Sequence, residues 1–551
     1  MTPLFSPEVM AHVAVHAPAL TTGVVDYPRV LSEYGGRLDF YDSRTHFSTV
    51  TGAEFAESVR ARAGALAARG VGSGNRIVML AANDERYITT LLAVLLLGAV
   101  PCAVASPPAP SRADSAGVRH LRAAIRVVDP TLVLSPAAAA VAAEHPGLLD
   151  YVDLADNESL PANRPPAQPG DIHHIQLTSG STSEPKAVLL THANVAHNLG
   201  VLAYGIQADV RYDRMFSWLP MYHDMGLVQV LAGLVYGGPV ALMSPLGFLR
   251  DPLSWLRHMT AHGSTVTAGP TFAYRAVADA LGRAADPGRI DLTALRHAFV
   301  GAEPIGYGTL RHFTGTFAPF GLRPDALVPS YGMAESVLAT TLALHPAPES
   351  PDNFGRVRTR PGIDGSGPLV SCGPPIDGMQ VAVVNEDGAM VAPGALGDIR
   401  ISGASLMAGY RQIDGTVSEP ADGWHDTGDR GFLSDGELYV VGRAKEMLII
   451  RGRNLPPYDV EHAIGEIPEV GPGNAVVFSV LDGERGRDRI VAVLATDGSA
   501  QLQTQATTRV REVFGFSLDE VVLVPRRAIP RTTSGKIQRL TLRERYLANL
   551  L

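Results

Sequence analysis

Cysteine is almost absent from this chain, which has two in 551 residues. Cys102 and Cys372 lie far apart in the sequence and have no C-x-x-C spacing, so they indicate neither a disulfide framework nor a thiolate zinc site. Since the chain does not rely on disulfides, it fits a reducing compartment, and we expect the protein in the cytoplasm.

An excess of positive charge is also lacking. The chain carries 46 Lys and Arg against 55 Asp and Glu, a formal net charge of −9. This balance gives no polycationic surface for nucleic acid or anionic lipid, although a small polyanion can still bind locally. We therefore expect no nucleic-acid partner. The amino terminus lacks the basic region and the apolar region of a secretory signal.

Long uninterrupted apolar runs are missing as well. The longest apolar stretch, from Tyr87 to Ala105, approaches the length of a membrane span but is interrupted by Gly98 and Pro101. This pattern predicts a buried helix followed by a buried strand, and no membrane span.

The alternation of helical and strand patterns is the main positive feature. Ala53 to Arg69 has helical periodicity, and Arg76 to Leu80 is a short apolar run typical of a buried strand. With 46% hydrophobic and 18% charged residues over 551 positions, the chain should fold into several compact units. The sequence predicts an α/β fold with a large N-terminal domain of several subdomains, built from layered α/β sheets.

The carboxy-terminal part has its own pattern, which predicts a small α+β domain. Its predicted elements are strands at Leu438 to Val441, Met447 to Ile450, Ala475 to Val480 and Ile490 to Ala495, a charged turn at Asp482 to Arg489, and a helix from Leu540. Upstream of it, Pro346 to Gly367 is rich in proline, glycine and charge, which predicts a long excursion between core segments.

One loop concentrates hydroxyl groups around a glycine, after a predicted strand at His174 to Leu177. Its sequence is L-T-S-G-S-T-S-E-P-K, with Thr178, Ser179, Ser181 and Thr182 around Gly180, and Lys186 just after. Hydroxyls and backbone N–H groups at this density suit phosphate oxygens, and the lysine adds positive charge. The G-K-[ST] ending of the common P-loop is absent, and taken alone such a loop is more often a surface turn.

Seven further motifs follow this loop. They are Met221-Tyr222-His223-Asp224-Met225-Gly226-Leu227, Gly301-Ala302-Glu303-Pro304, Tyr331-Gly332-Met333-Ala334-Glu335, Thr427-Gly428-Asp429, Gly442-Arg443-Ala444-Lys445-Glu446, Arg451-Gly452-Arg453-Asn454 and Ser534-Gly535-Lys536-Ile537-Gln538-Arg539. In this order and spacing, over nearly the whole chain, the motifs resemble the adenylate-forming superfamily of acyl-CoA synthetases, luciferases and peptide-synthetase adenylation domains. The resemblance implies an enzyme that uses ATP and Mg²⁺ to convert a carboxylic acid into an acyl-adenylate, with release of pyrophosphate.

The resemblance also assigns roles to individual residues. Lys536 would bridge the acyl carboxylate and the α-phosphate during adenylation, and Glu335 would hold Mg²⁺, a cation that prefers oxygen ligands. Asp429 would accept hydrogen bonds from the ribose hydroxyls. Arg443 would donate to the ribose or phosphate, and Tyr331 would stack on adenine. The other residues implied in nucleotide binding are Thr178, Ser179, Gly180, Ser181, Thr182, Lys186, Gly301, Ala302, Glu303, Ser330, Gly332, Met333 and Ala334.

The resemblance also assigns one residue to the boundary between two pockets and one to the boundary between two domains. By resemblance, His223 would lie between the nucleotide and acyl pockets. Lys445 would be the hinge about which a small mobile C-terminal domain, residues 442–551, rotates against the N-terminal domain, residues 1–441. Lys536 would then act in the first half-reaction and move away for the second.

The acceptor of the acyl group depends on finer similarities. The context of His223 and the stretch Leu448 to Asn454 look most like fatty acyl-AMP ligases, which pass the acyl group to the phosphopantetheine thiol of an acyl carrier protein. These enzymes carry an extra segment after their Tyr-Gly-x-Ala-Glu motif, and the excursion between Thr341 and Ser371 occupies that place. We therefore expect a carrier protein as partner and a fatty or otherwise apolar acid as substrate. An acyl-CoA ligase and a non-catalytic relative that binds nucleotide or acyl chain are the alternatives.

Other features of the sequence limit these expectations. Ser183 and Ala187 stand where many relatives have glycine, which predicts a stiffer or displaced phosphate loop. No G-x-S-x-G elbow is present, which argues against an α/β-hydrolase. Four histidines cluster in sequence without cysteine or carboxylate partners at a zinc spacing, and they predict no zinc site: His173, His174, His192 and His197.

Overall fold

The computed structural model of the protein describes residues 4–42, 44–107, 115–135, 147–151, 160, 165–178, 185–362, 367–450, 453–482, 487–496, 498, 501–531 and 537–551. The helices are α1 Pro7–His16, α2 Tyr27–Glu33, α3 Gly52–Ala68, α4 Glu85–Leu96, α5 Ala116–Val128, α6 His192–Gly205, α7 Asp224–Tyr236, α8 Pro245–Arg250, α9 Leu253–His262, α10 Thr271–Arg283, α11 Tyr307–Phe317, α12 Pro457–Gly465, α13 Gln501–Phe514 and α14 Arg539–Leu547. The strands are β1 Arg37–Tyr41, β2 His46–Thr51, β3 Arg76–Ala81, β4 Val100–Ala105, β5 Leu132–Ser135, β6 Leu148–Asp150, β7 Ile172–Thr178, β8 Lys186–Thr191, β9 Met215–Ser217, β10 Val240–Met243, β11 Val266–Pro270, β12 His297–Gly301, β13 Leu327–Tyr331, β14 Thr341–Leu342, β15 Thr359–Arg360, β16 Leu369–Val370, β17 Met379–Val384, β18 Gly397–Gly403, β19 Gly409–Arg411, β20 Val417–Ser418, β21 His425–Ser434, β22 Glu437–Arg443, β23 Leu448–Ile450, β24 Arg453–Leu455, β25 Ala475–Asp482, β26 Arg487–Ala495 and β27 Glu520–Val524.

Two eight-stranded sheets dominate the N-terminal part of the chain. The first has the order β14-β13-β12-β11-β9-β10-β1-β2, with parallel inner strands and antiparallel edge strands. The second has the order β20-β19-β8-β7-β4-β3-β5-β6, parallel from β7 to β6 and antiparallel from β7 to β20. Parallel strands require crossover connections, which explains why helices and strands alternate along the sequence. The predicted α/β class is confirmed.

A single apolar core joins the two large sheets through the helices between them. It contains side chains of β1 and β10 from the first sheet, β3 and β8 from the second, and α3, α4, α6 and α7. α4 begins after Asp84, whose side chain accepts a hydrogen bond from the Tyr87 backbone N–H at 2.8 Å, and every residue from Tyr87 to Leu96 is buried. The predicted order of buried helix and buried strand from Tyr87 to Ala105 is therefore confirmed.

Further helices cover the outer faces of the sheets. α10 and α11 pack on the first sheet, and α5 packs on the second. The result is the layered arrangement of helices and sheets that the alternating pattern predicted. Among the described helices, none has both the length and the apolar composition needed to cross a membrane.

A third, antiparallel sheet has the order β17-β18-β21-β22. Its last two strands form a hairpin whose two-residue turn is Asp435-Gly436, with φ of 52° and 77°. Positive φ at both turn positions matches a type I′ turn, which has the twist that a tight hairpin requires. The turn fixes the hairpin register, and this register, with a bulge at Arg430 and Gly431, places Asp429 directly opposite Arg443.

The C-terminal sheet pairs β25 antiparallel with β26 and β26 parallel with β27. α12 and α13 cover one face and α14 covers the other, so both faces of β25 are buried. The β25–β26 pairing extends to Asp482 and Arg487. The predicted turn at Asp482 to Arg489 was therefore too long, because the charged residues at both ends of it continue the two strands. The division at residues 441 and 442 stays a prediction; β22 itself runs to Arg443.

Candidate active site

The carboxyl ends of two neighbouring parallel strands bring two of the predicted motifs together. β12 ends at Gly301 and β13 ends at Tyr331, and the two strands pair in register. A Cβ on Gly301 would lie 2.9 Å from the backbone oxygen of Ser330, so a larger residue would push the strands apart. The next residue, Ala302, has a φ of 64°, which turns the chain sharply out of the sheet. Ligands of α/β sheets bind at this edge.

Three predicted nucleotide-binding residues form one hydrogen-bonded cluster above this edge. The Tyr331 hydroxyl donates to Oδ2 of Asp429 at 2.7 Å, and Nε of Arg443 lies 2.9 Å from Oδ1. Thr427 supports both partners, since its hydroxyl accepts from the Asp429 N–H at 3.1 Å and its carbonyl accepts from Arg443 at 2.9 Å. The side chain of Asp429 is 9% exposed and that of Arg443 is 56% exposed. The carboxylate is held in place while the guanidinium can reach a ligand.

A second cluster contains the predicted metal ligand. The Tyr410 hydroxyl donates to Oε1 of Glu335 at 2.7 Å, and the ammonium of Lys186 lies 4.8 Å from the centre of the Tyr410 ring. Glu335 is 9% exposed. Close by, Val337 has a φ of 66°, an unusual conformation for a β-branched residue and one that costs strain energy. The strained turn holds the carboxylate at the end of β13.

Gly332, between the two clusters, has a steric role. A Cβ at this position would lie 1.7 Å from the backbone oxygen of Leu338, so the chain after Tyr331 can fold back only if residue 332 has no side chain. Met333 and Ala334 continue this turn, and Ala334 is buried in the core. The predicted contributions of these residues to nucleotide binding stay predictions.

The charges of the two clusters act on one another. Burial and the adjacent Asp429 carboxylate raise the pKa of Tyr331 well above its usual value, and burial and Glu335 do the same to the pKa of Tyr410. Burial lowers the pKa of His425, against the opposing effect of Glu335. Arg443 keeps a raised pKa although burial opposes it, because Asp429 and Glu335 favour its charge. The phenols therefore stay neutral donors and Arg443 stays cationic.

The predicted phosphate loop begins and ends beside these clusters. Thr178, the last residue of β7, pairs with Lys186, the first residue of β8, so the two ends of the loop lie side by side. Lys186 is exposed. Ser179, Gly180, Ser181 and Thr182 lie outside the described residues.

His223 lies at the start of α7, next to β7. It is the N-cap residue of the helix, and its Nδ1 lies 2.5 Å from Oδ1 of Asp224. Gln176, two residues before Thr178, donates to the backbone oxygen of Tyr222 at 2.9 Å. This bond fixes the start of α7 against the strand that leads into the phosphate loop.

The C-terminal segment meets the N-terminal part at the Gly301 to Glu303 turn. A Cβ on Gly306 would lie 2.9 Å from the Tyr458 hydroxyl, and the charge of Glu303 acts on Arg531, whose pKa burial lowers. An antiparallel bridge joins Arg531 to Ile537. Lys536 lies outside the described residues. Arg531 and Ile537, which precede and follow it in the chain, are joined by this bridge, and Arg531 lies near Glu303 of the site.

The predicted hinge lies at the end of β22. Lys445 is the middle residue of a 3₁₀ turn, Ala444–Glu446, that directly follows Arg443. The next residue, Glu446, pairs with Arg539, which also forms a two-pronged pair with Glu461 at 2.9 Å. These contacts tie the residue after the predicted hinge to the first residue of α14, three residues after Lys536.

Sequence motifs alone did not identify several residues of the site. Tyr410, Thr427 and Gln176 had no assigned role, yet each bonds to a predicted residue or its neighbour. Tyr410 reaches Glu335 because β19 pairs with β8, the strand after the phosphate loop. This pairing joins distant parts of the chain, and no pattern of neighbouring residues in the sequence predicts it. Thr427 could have been found, because it belongs to the Thr-Gly-Asp motif.

The arrangement suits a nucleotide with its phosphates. The first cluster offers the fixed carboxylate of Asp429, the guanidinium of Arg443 and the ring of Tyr331. The second offers the ammonium of Lys186 and the carboxylate of Glu335. The described residues contain no group of three or more metal-ligating side chains. One carboxylate fits Mg²⁺, which usually takes one or two protein carboxylates and completes its shell with phosphate and water.

Comparison with known proteins agrees with this geometry. The family described as AMP-binding enzyme matches residues 30–411. Putative ligase Rv1013 of Mycobacterium tuberculosis is 34% identical over 528 residues, 89% of this chain and 93% of the relative. JamA of Moorena producens, named medium-chain-fatty-acid–[acyl-carrier-protein] ligase, is 34% identical over 421 residues, 70% of each chain.

A solved structure is also similar to this chain. It comes from structural and functional studies of fatty acyl-adenylate ligases from E. coli and L. pneumophila, and it matches with a TM-score of 0.83 at 28% identity, over 95% of this chain and 98% of the other. Both the sequence match and the structural match extend over most of the chain. The chain therefore belongs to the AMP-binding enzyme family, of the adenylate-forming superfamily, and it is an enzyme of the acyl-AMP ligase type that resembles the fatty acyl-AMP ligases.

Proposed function

We propose that the protein activates a fatty acid with ATP, forming acyl-AMP and pyrophosphate, and then transfers the acyl group to the phosphopantetheine thiol of an acyl carrier protein. The observation that carries the first step is the pair of adjoining clusters, Tyr331 with Asp429 and Arg443, and Glu335 with Tyr410. They combine groups that suit a ribose with groups that suit phosphates and a metal ion.

Asp429 binds the ribose hydroxyls in this proposal. Tyr331 and Arg443 hold its two oxygens, and we expect the carboxylate to accept hydrogen bonds from the ribose hydroxyls. Because these bonds fix the carboxylate before ligand arrives, little side-chain freedom is lost on binding. Arg443, half exposed beside it, donates to the ribose or the α-phosphate. The ring of Tyr331 provides a face for adenine.

Glu335 provides the metal site, and Lys186 faces the outgoing phosphates. When bound, Mg²⁺ would neutralise part of the phosphate charge that builds up as the acyl carboxylate attacks the α-phosphate. The Tyr410 hydroxyl occupies one lone pair of Oε1 and orients the carboxylate. The ammonium of Lys186 is exposed at the exit of the loop, where it can stay close to pyrophosphate.

In this proposal, Lys536 acts in the first half-reaction, adenylation, and Lys445 is the hinge for the change to the second, thiol transfer. Lys536 would bridge the carboxylate and the α-phosphate, and the position of Arg531 near Glu303 is consistent with an approach from this side. Rotation at Lys445 would then remove Lys536 and expose the acyl-adenylate to a thiol. His223, the N-cap residue of α7, would lie where the acyl carboxylate enters.

A fatty acid and a carrier protein are the proposed substrate and partner. The relative JamA is named a medium-chain-fatty-acid–[acyl-carrier-protein] ligase, and the matching solved structure belongs to work on fatty acyl-adenylate ligases. Free coenzyme A is the alternative acceptor, since it presents the same phosphopantetheine thiol.

Two assays in sequence test the proposal. ATP–pyrophosphate exchange, with a panel of fatty, aromatic and β-amino acids, measures the first half-reaction without any acceptor. The enzyme loaded with acyl-AMP is then offered either coenzyme A or a holo-carrier protein. Faster transfer to the carrier supports the proposal, and equal or faster transfer to coenzyme A assigns the enzyme to the acyl-CoA ligases.

A non-catalytic nucleotide-binding or acyl-binding role is the second candidate, and the same first assay decides it. If no acid supports exchange and Lys536→Ala changes nothing that is measured, the protein binds without catalysing. The full set of Glu335, Asp429 and Lys536 argues for catalysis, because binding alone needs neither a metal ligand nor a lysine at the α-phosphate.

A further inference from the structure

Asn198 is a fully buried asparagine on α6, and none of the sequence motifs contains it. The residue is 0% exposed. Its side chain contacts two separate segments of the chain, the turn after β13 and the connection between β18 and β19. Because a buried amide is costly unless its polar atoms are paired, the partners of this side chain show which parts of the fold it holds together.

The amide binds both backbone groups of one residue in the turn. Oδ1 of Asn198 accepts from the Ala339 N–H at 3.3 Å, and Nδ2 donates to the Ala339 oxygen at 2.9 Å. Nδ2 also donates to the Ser336 oxygen at 3.2 Å and to Oγ of Ser405 at 3.1 Å. The opposite orientation would place the amide oxygen against two carbonyl oxygens, so the surroundings determine which atom is the donor.

The turn that Asn198 binds has a strained backbone. Val337 has φ of 66° and ψ of −62°, and the Leu338 N–H donates to the Ser336 oxygen at 2.8 Å. This bond closes a three-residue γ-turn around Val337, of the kind that is rare because it is strained. Such a conformation persists only where the surroundings hold it. Asn198 does so, because it binds the carbonyl that closes the γ-turn and the residue that follows Leu338.

The second segment is held at Ser405, which is also 0% exposed. Its Oγ lies 2.7 Å from Nδ1 of His197, the neighbour of Asn198 on α6. Burial lowers the pKa of His197 to about 4, so the ring is neutral and Nδ1 can accept the Ser405 hydroxyl proton. The hydroxyl therefore accepts from Asn198 and donates to His197, and α6 fixes this segment with two side chains.

These two segments also determine the position of the Glu335 carboxylate. Glu335 directly precedes Ser336 in the turn. Its backbone oxygen accepts from the Met407 N–H at 2.8 Å, and its Oε1 accepts from the Tyr410 hydroxyl at 2.7 Å. Met407 and Tyr410 both follow Ser405 in the same connection and the strand after it. Asn198 thus joins the turn that carries the carboxylate to the segment whose groups orient it.

We propose that Asn198 is a positioning residue of the metal site, which holds the strained turn and the Ser405 segment together and so fixes Glu335 where it can bind Mg²⁺. This inference rests on the proposed acyl-adenylating function and adds the residue that pre-forms its metal site. Mg²⁺ demands near-ideal octahedral geometry, so a displaced carboxylate binds it poorly. Groups that orient a metal ligand typically contribute about 10- to 100-fold to metal affinity or activity.

ATP–pyrophosphate exchange gives the first test. Asn198→Ala removes the four hydrogen bonds described above. We expect kcat to fall about 10- to 100-fold and the Mg²⁺ concentration for half-maximal rate to rise, while the KM for the acid is unchanged. Ser405→Ala removes only the contact to the second segment, and it should act in the same direction with a smaller effect.

A binding measurement gives a readout that does not depend on turnover. The affinity for α,β-methylene-ATP, which cannot be cleaved at the α-phosphate, is measured by calorimetry with Mg²⁺ and with EDTA. In the wild type, Mg²⁺ should increase the affinity. In Asn198→Ala this increase should shrink about tenfold, while the affinity in EDTA, which depends on the Asp429 cluster, stays the same.

A double-mutant cycle shows whether Asn198 acts through Glu335. If it does, Asn198→Ala should have no further effect on exchange in an enzyme that already carries Glu335→Gln. A residue that only stabilises the fold would lower the rate by the same factor in both backgrounds.

Gln229→Met is the matched control. Gln229 is a buried amide on α7, 6% exposed, and its Nε2 donates to the Phe216 oxygen at 2.9 Å, so its bond leads to β9 and not to the Glu335 turn. This variant should keep the Mg²⁺ dependence of the wild type. Thermal denaturation gives a temperature at which the variants are folded, and all assays are run there. If Asn198→Ala does not fold, Ser405→Ala takes its place in every assay.

The outcomes separate the inference from the proposed function. An unchanged Mg²⁺ dependence in the Asn198 and Ser405 variants, additive effects in the cycle, or an equal change in Gln229→Met overturns the inference while acyl-adenylation stands. If Glu335→Gln itself leaves the Mg²⁺ dependence unchanged, the metal assignment has failed and the inference fails with it. If no acid supports exchange, the proposed function has failed as a whole, and the inference with it.

Discussion

Replacing Asp429 by asparagine tests the nucleotide site most directly. The substitution keeps the shape of the side chain and removes its charge. Hydrogen bonds to a charged group contribute about 1.5–3 kcal/mol and those between neutral groups about 0.5–1.5 kcal/mol, so each ribose hydroxyl loses about 1–1.5 kcal/mol. Two hydroxyls lose about 2–3 kcal/mol, which is about a 30- to 150-fold fall in kcat/KM for ATP.

The fold should tolerate this change. Tyr331 can donate to the amide oxygen of the new side chain as it does to Oδ2 of Asp429. The amide nitrogen cannot accept from Arg443, but the Arg443 side chain is half exposed and can turn to water, so loss of this pair costs little. Stability measured by urea unfolding should therefore change by less than about 1 kcal/mol. A large loss of stability would mean that Asp429 is mainly structural.

The assay is ATP–pyrophosphate exchange at saturating acid with ATP varied, and Asp426→Asn is the control. Asp426 lies on the same strand, its side chain is 79% exposed, and it pairs with Arg400 at 2.6 Å. Removing its charge should leave the KM for ATP unchanged. An Asp429→Asn enzyme whose kcat/KM for ATP stays within about threefold of wild type would refute the ribose assignment, because at least one charged contact is worth more than that.

Three further predictions address the metal site, the C-terminal segment and its pH dependence. Glu335→Gln should lower exchange about 100-fold and raise the Mg²⁺ concentration needed for half-maximal rate, with unchanged thermal stability because the amide oxygen still accepts from Tyr410. Arg539→Met should destabilise the protein by about 3 kcal/mol in urea unfolding, because it leaves Glu461 buried and unpaired, and adding Glu461→Gln should recover part of the loss. Burial, with Glu461 nearby, raises the pKa of Asp459 to about 6. The folded state therefore binds this proton more tightly than the unfolded state, and the contribution of Asp459 to stability is lost as pH rises from about 4 to 6. Asp459→Asn should raise the free energy of unfolding relative to wild type at pH 7.5 by about 1–3 kcal/mol and have little effect at pH 4; an equal effect at both values would contradict the titration.

Local patterns in the sequence predicted several elements of the fold. The strand at His174 to Leu177, the helix at Ala53 to Arg69 and the buried helix and strand from Tyr87 to Ala105 all occur, with ends shifted by a few residues. They could be predicted because periodicity and turn residues are properties of neighbouring positions. The turn at Asp482 to Arg489 was predicted too long, because charged residues at a strand end look the same in sequence as a solvated turn.

The geometry of the site could be predicted only in part. The motifs located Asp429 and Arg443, and the hairpin register places them opposite each other. No pattern indicated that Tyr331 bonds to Asp429 across 98 positions. Such contacts depend on how the first and third sheets meet, a property of tertiary packing that residue spacing does not contain.

The bulge at His173 illustrates the same limit. In the sequence His173 and His174 alternate in and out of a strand, which would place them on opposite faces. The additional residue in the ladder cancels this alternation and allows Nδ1 of one ring to reach Nδ1 of the other. The spacing of the histidines in the sequence carried no information about this hydrogen-bonded chain from Tyr27 to His174.

The nucleotide site that we propose is assembled before a ligand binds. Around Asp429 and Glu335, charged and polar groups from strand ends and loops hold one another in place. Because the groups of each cluster share partners, we expect substitutions within one cluster to act non-additively.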